Sequence, residues 1–241
     1  MLKPSLAYQL VALAKSGCKR WQGELFLNNM KNIEIWTEEM ESYKLLDSGE
    51  KEKLEEIGGE KIVRKEPRAW WKKSLANNTY QKSRNKKELE KVIDIGIGEV
   101  KAKILFKESS KHIGIFPEQF PQWKWIKEKI NSIINKSNHP TPGLNVTGGQ
   151  APQRGGTIKN IKILNLFGYT GIASLVAVNA GLSDETESKW KVEVTHVDAS
   201  KQSIDWAKEN QKVSGLEEAP IRCIVDADVK FIQKEIKRQK K

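Results

Sequence analysis

The chain has 241 residues, enough for one large domain or two small ones, and its 38% hydrophobic content is modest for a compact globule and leaves room for tails and loops. Its net charge of +11 suits a surface that meets phosphate, as RNA would present, although a lysine-rich solvated surface has the same composition. Cys18 and Cys223 show neither metal spacing nor a disulfide framework, which fits a reducing compartment. His112, His139 and His196 are scattered, so no metal site is expected, and no apolar stretch approaches the roughly 20 residues that span a membrane.

Residues 1–23 carry Lys3, Lys15, Lys19 and Arg20 and no acid, with Leu6, Leu10, Val11, Leu13 and Ala14 near helical spacing. Basic, acid-poor and amphipathic is the pattern of a mitochondrial transit peptide. An ordinary N-terminal helix or a frayed tail reads the same way, so the expected location is mitochondrial or cytoplasmic. A strand-rich region begins at residues 32–36. Residues 43–49 read as strand then turn, Gly58-Gly59 as another turn, and residues 61–64 as another strand; Glu66-Pro67 breaks the pattern before Ala69-Trp70-Trp71. Trp70 and Trp71 are expected to close a small core, the alternative being a surface on which bases stack. Residues 77–91 are polar and charged, an exposed loop with a short helix.

Residues 99–107 alternate: Val100, Ala102, Ile104 and Phe106 face one way, Lys101, Lys103 and Lys107 the other. This predicts a half-buried strand whose lysine face is either solvated or turned to RNA. Trp123, Ile126, Ile130, Ile133 and Ile134 form the apolar stripe of a helix that packs on a sheet. Residues 136–160, rich in Pro, Gly, Thr and Asn, read as a flexible loop; its sequon Asn145-Val146-Thr147 would go unused in a reducing compartment.

The run at residues 161–167 is short, apolar and branched, as a buried parallel strand requires. It breaks into the tight turn Gly168-Tyr169-Thr170-Gly171, followed by a helical run from Ile172 to Val178 with Gly181 as its stop. A second strand, residues 192–197, ends in Asp198, completing one β-α-β unit with turn glycines and an acid at the tip of its second strand. Gly168 and Gly171 leave room for a ligand against the backbone, and the first-turn N–H groups of the helix point at it. An acid after the next strand can accept both hydroxyls of a ribose, so an adenosine-bearing ligand is the first inference. Gly171 and Asp198 lie further apart than the roughly 20 residues of a dinucleotide fingerprint, and the polar residues 183–188 look like an insertion that accounts for the excess. The turn is G-x-x-G, with Leu166 where a dinucleotide site would place its first glycine. That suits S-adenosylmethionine, which has no pyrophosphate. An ordinary β-α-β unit whose glycines serve packing is the competing reading. Further on, Ser200 caps a helix to about Val213 that Gly215 closes, residues 221–225 form a third strand, and Val229, Ile232 and Ile236 make the buried stripe of a last helix. Cys223, inside that strand, is a poor nucleophile.

Residues 165–171 (NLFGYTG), Val197-Asp198-Ala199-Ser200 and Trp206-Ala207-Lys208-Glu209-Asn210, with the upstream residues 112–119 (HIGIFPEQ), resemble the class I S-adenosyl-L-methionine-dependent methyltransferases. More narrowly they are similar to the branch related to bacterial 23S ribosomal RNA cytosine-C5 methyltransferases, and the likeness runs from about Tyr43 to the C-terminus. It implies an α/β fold: a Rossmann-like half-sheet with strands in the order 3-2-1 and helices, preceded by a small β-rich domain. The segments would be a basic one at 1–30, the β-rich domain at 31–110, a cofactor-flanking segment and helix at 111–135, the loop at 136–160, and an incomplete S-adenosylmethionine-binding domain at 161–241. The resemblance further implies cofactor contacts from Phe116, Gln119, Asn165, Phe167, Gly168, Tyr169, Thr170, Gly171, Asp198 and Asp226. Residues 114–119 would lie across the cofactor, Gly168 to Gly171 would cradle its methionine end, Asp198 would hold the ribose and Asp226 would read the adenine, while Asp228 is an alternative helix cap.

In that family a fourth strand ending in Asp-Pro-Pro follows; no counterpart precedes Lys241. The expectation is therefore a first sheet strand left as a bare apolar edge, and a chain that alone binds cofactor weakly and is inactive, or that is a fragment of a longer product. No catalytic residue can be named. RNA is the expected partner, no membrane is, and the oligomeric state stays open. The rival readings are a non-catalytic RNA-binding or interaction fragment and a nicotinamide oxidoreductase.

Overall fold

In chain order the elements are β1 (Val11–Lys15), β2 (Tyr43–Gly49), β3 (Glu52–Ile57), β4 (Glu60–Lys65), α1 (Asn77–Arg84), β5 (Glu88–Asp94), β6 (Lys101–Lys107), a 3-10 turn at Pro117–Gln119, α2 (Phe120–Asn138), β7 (Lys159–Asn165), α3 (Ile172–Ala180), β8 (Trp190–Asp198), α4 (Lys201–Val213), β9 (Ile221–Val225) and α5 (Asp228–Gln239). They come from a computed structural model that describes residues 11–15, 39–84, 88–107, 112–138, 159–182 and 190–239. The remainder of the basic N-terminal segment, the strand expected at 32–36, most of the loop at 136–160 with its sequon and His139, and the insertion at 183–188 lie outside the described residues.

β2, β3 and β4 form an antiparallel meander. Its turns sit at Glu50-Lys51 and Gly58-Gly59, all four with positive φ, the mirror-image geometry that matches the twist of paired strands. A bulge between Leu45 and Asp47 turns Asp47 inward, where its carboxylate accepts the N–H groups of Ser74 and Leu75 at 3.1 and 2.9 Å. Residues 88–91, expected in a loop, belong to β5, which pairs with β6. The alternation in β6 holds: Val100, Ala102, Ile104 and Phe106 are buried.

Trp70 and Trp71 correct the expectation of a small core. Trp70 is 80% exposed and Trp71 41%. Their indole N–H groups donate to Pro67 O at 2.9 Å and Ser48 O at 2.7 Å, which ties both rings to the rim of the meander. Met40, Ile57, Ile62 and Ala69 fill the interior instead.

The second sheet has the order β1-β7-β8-β9, with β7, β8 and β9 parallel, so the first, second and third strands of the β-α-β run stand in the predicted 3-2-1 order. β1 pairs antiparallel with β7, from Val11 opposite Asn165 to Lys15 opposite Ile161. This corrects both the helical reading of those residues and the bare edge expected for β7. The outer backbone groups of β7 need partners, and an extended segment supplies them where a helix cannot. Ile161, Ile163, Val192 and Val194 join the main core with α2 and α3, while Leu166, Val197 and Phe231 form a smaller core under α5 on the opposite face.

The stripe predicted for α5 is also corrected. Val229 is 62% exposed and Ile236 is about half exposed; Phe231 is buried and Ile232 half-buried. The rotation of the helix is set at its start, where Asp228 Oδ1 accepts the Phe167 N–H at 2.8 Å, and residues three and four positions on then face the sheet. Among the described residues no helix is long and apolar enough to cross a membrane, and no cluster of His, Cys, Asp or Glu could hold a metal.

Candidate cofactor site at the end of the parallel sheet

β7 stops at Asn165 because the chain then enters left-handed conformations: φ is 53° at Phe167, 50° at Tyr169 and 84° at Gly171. Two of these are bulky residues, for which the conformation is unfavourable by about 1 kcal/mol or more unless the surroundings impose it. Here they do. Phe167 N–H donates to Asp228, Gly168 N–H to Val197 O at 2.9 Å, Tyr169 N–H to Asp198 Oδ2 at 2.8 Å, and Gly171 N–H to Gly168 O at 3.0 Å. Gly168 must be glycine because a Cβ there would lie 2.2 Å from Cε1 of His196.

His196 is fully buried beneath the turn. Asn165 Nδ2 donates to Ser174 Oγ at 2.8 Å, and Ser174 Oγ lies 3.0 Å from His196 Nδ1. The serine hydroxyl, with one proton and two lone pairs, thus links Asn165 to the ring, and the direction of its bond to Nδ1 follows the imidazole tautomer. Burial pushes the imidazole pKa down to about 4, against the opposing pull of Asp198, so the ring is neutral near pH 7.

Residues 112–119, expected to lie across the cofactor, cross over the glycine turn. Gly114 donates its N–H to the Tyr169 hydroxyl at 3.3 Å and accepts from Thr170 Oγ1 at 2.6 Å, and the Phe116 and Tyr169 rings stand 4.9 Å apart. Between the crossing segment and the turn lies a cleft of about 200 Å³, lined by Phe116, Gln119, Gly168, Tyr169 and Thr170 and by Ile172 and Ala173 of α3. α3 starts at Gly171 without a side-chain cap, so its first-turn N–H groups are left for a ligand. Asp198, at the end of β8, accepts from Tyr169 N–H through Oδ2 and from Ser200 N–H through Oδ1, each at 2.8 Å. Each oxygen keeps a further acceptor position.

No family model matches the sequence, and no curated protein does. Among solved structures, the SAM-dependent methyltransferase from Agrobacterium tumefaciens is similar to this chain: 34% identity, a TM-score of 0.63, and coverage of 84% of this chain and 58% of that one. This is a Rossmann-like methyltransferase fold. The chain spans somewhat over half the length of that relative.

Within the methyltransferase fold the remaining predicted residues separate. Asn165 is buried below the turn, in the network that props it, rather than in the cleft. Phe167 is 54% exposed and its ring is not part of the cleft wall. Asp226 sits beside Asp198, its N–H donating to Asp198 O at 3.2 Å, but its carboxylate is taken by Lys234 at 2.6 Å and by Ala227 N–H at 2.9 Å. The Lys234 ammonium holds that carboxyl below its ordinary pKa range. Cys223 is half-buried, and burial raises its thiol pKa, as a poor nucleophile requires.

Other residues of the methyltransferase fold matter that the sequence reading gave no role. Asn210 of α4 donates to Thr170 O at 2.8 Å and accepts the Lys103 N–H at 2.7 Å, while Trp206 Nε1 donates to Lys103 O at 2.9 Å. One turn of helix thus fastens β6 to the glycine turn; the sequence signals were the likeness of residues 206–210 to the family and the four-residue spacing of Trp206 and Asn210 on one face. His196 had a fainter signal, two positions before Asp198, and Asp228, read as an alternative helix cap, instead accepts the Phe167 N–H.

Proposed function

We propose that the protein is an S-adenosylmethionine-dependent methyltransferase that acts on RNA. The observation that carries this reading is the direction of the Asp198 carboxylate. It turns toward the glycine turn, bonded to Tyr169 N–H at 2.8 Å, beside a helix start without a side-chain cap. A carboxylate there accepts hydroxyl protons of a ribose, and backbone N–H groups there meet the carboxylate of an amino acid. That donor and acceptor set fits S-adenosylmethionine, which when bound supplies an electrophilic methyl group on a sulfonium centre. Asp198 would hold the ribose, Gly168 to Gly171 and the first turn of α3 the methionine end, and Phe116 and Gln119 the roof. These residues bind and orient, which is the larger share of what a transfer of this kind needs. No base is assigned. RNA as the acceptor is supported by the net charge of +11 and by the resemblance of the turn and crossing segments to the ribosomal RNA branch.

The Asp226 carboxylate, expected to read the adenine, is already paired with Lys234 at 2.6 Å and with the Ala227 N–H at 2.9 Å. The chain by itself therefore binds the cofactor weakly and turns over poorly. Calorimetry with S-adenosylmethionine and with NADH tests the reading. Asp198→Ala should lower affinity for S-adenosylmethionine about tenfold or more, the usual loss when a charged hydrogen-bond partner is removed. Stabilisation by NADH and not by S-adenosylmethionine would overturn the methyltransferase reading; micromolar affinity with turnover would overturn the weakness of the isolated chain.

A further inference from the structure

The most exposed large side chain among the described hydrophobic residues is Trp70, at 80%, with Trp71 next to it at 41%. Neither indole N–H is free for a partner, since Pro67 O and Ser48 O hold them. What the two rings offer outward is carbon surface in a fixed orientation. The backbone beneath is pinned to the β2–β3 turn: Lys51 N–H donates to Ala69 O at 2.7 Å and Glu50 N–H to Trp71 O at 2.8 Å. The rings are therefore preorganised, and little side-chain freedom is lost when something lies on them.

The charge around them is one-sided. Lys73 pairs with both local acids, Glu50 at 3.4 Å and Glu52 at 2.7 Å. Glu66 pairs with Arg68 at 3.2 Å. Among the described residues, exposed Lys51 in the adjoining turn and exposed Lys72 next to Trp71 have no carboxylate partner. The core of a protein–protein contact is depleted of charge, whereas aromatic faces flanked by uncompensated cations match a polyanion that carries its own flat rings.

We propose that Trp70 and Trp71, with Lys51 and Lys72, form a stacking platform for single-stranded RNA. It rests on RNA being the substrate, and it adds where on the chain the strand is held. Bases stack on the indoles while the lysines displace counterions from the phosphates.

The test is fluorescence anisotropy of a fluorescein-labelled oligouridylate titrated with the full chain over a range of salt, with S-adenosylmethionine affinity measured separately by calorimetry. The expected result is binding that weakens steeply with salt. Trp70→Ala should bind about tenfold more weakly, Trp70→Phe should keep most of the affinity, and Lys51→Glu with Lys72→Glu should flatten the salt dependence. Trp125→Ala, an exposed tryptophan on α2, should leave binding unchanged, and cofactor affinity should not move in any of them. The platform is overturned if Trp70→Ala binds as the unaltered chain does, or if the oligouridylate is not bound and the chain self-associates through this patch in sedimentation. Should Trp70→Ala fail to fold, unaltered binding by the lysine double variant overturns it equally. Loss of cofactor binding with RNA binding intact would sink the methyltransferase reading and leave the platform standing.

Discussion

His196 makes the stability of the fold depend on pH. Its pKa is about 4 in the folded chain against an ordinary 6.5, because burial disfavours the imidazolium. Below pH 6.5 the unfolded chain takes up a proton that the folded chain refuses until about pH 4. Stability is therefore full above pH 6.5, falls as the pH drops through the interval, and levels off below it, a loss of up to about 3 kcal/mol for a fully buried group. Urea unfolding at pH 7 and pH 4.5 should show this loss in the unaltered chain. His196→Gln should be less stable at pH 7 yet lose less between the two. An equal loss in both proteins would mean that other groups carry the acid sensitivity. Protonating His196 would also place a charge directly beneath Gly168, so the same interval should loosen the turn.

At the scale of elements, α4 joins the parallel sheet to the β5–β6 hairpin. Asn210 serves two backbone groups at once, Thr170 O and Lys103 N–H. Replacing it with alanine leaves both unpaired in a buried place, and at about 1–3 kcal/mol for each stranded group Asn210→Ala should destabilise the chain by about 2–6 kcal/mol. Thermal or urea unfolding measures it; a change under half of that would mean that water or a shifted backbone satisfies the two groups. The elements themselves were largely legible. β6, α3 and α4 follow from alternation, helical spacing and caps, which are local properties; Ser200 accepts the Ser203 N–H at 3.2 Å, as an N-cap serine should. Gly168, Tyr169, Thr170 and Asp198 were legible because a tight turn and a strand-end acid leave marks in residue type. The outward face of α5 was not, because one bond from Asp228 to Phe167 rotates the helix. The pairing of Asp226 with Lys234, the burial of Asn165 and the exposure of Trp70 were hidden for the same reason: each depends on a partner that periodicity does not reveal.

At the scale of the molecule, the antiparallel strand β1 decides whether the sheet ends cleanly. It covers the edge of β7 that faces away from β8, over the span from Asn165 to Ile161. An uncovered edge of this kind templates pairing with another copy. A variant lacking residues 1–15 should therefore self-associate with rising concentration in sedimentation velocity where the unaltered chain does not. A variant that stays monomeric would show that the edge is protected by something else. That pairing was illegible in the sequence because it joins positions about 150 residues apart, Val11 with Asn165 and Lys15 with Ile161.

Gly114 has a consequence of its own. It gives its N–H to the Tyr169 hydroxyl and its carbonyl to Thr170, so residues 112–119 and the glycine turn share one free energy. Whatever tightens the turn must also quiet the strap above it. By thermodynamic reciprocity, anything that draws the strap outward loosens what the turn holds by the same factor. A molecule resting against the strap can in this way tune occupancy of the cleft without ever entering it.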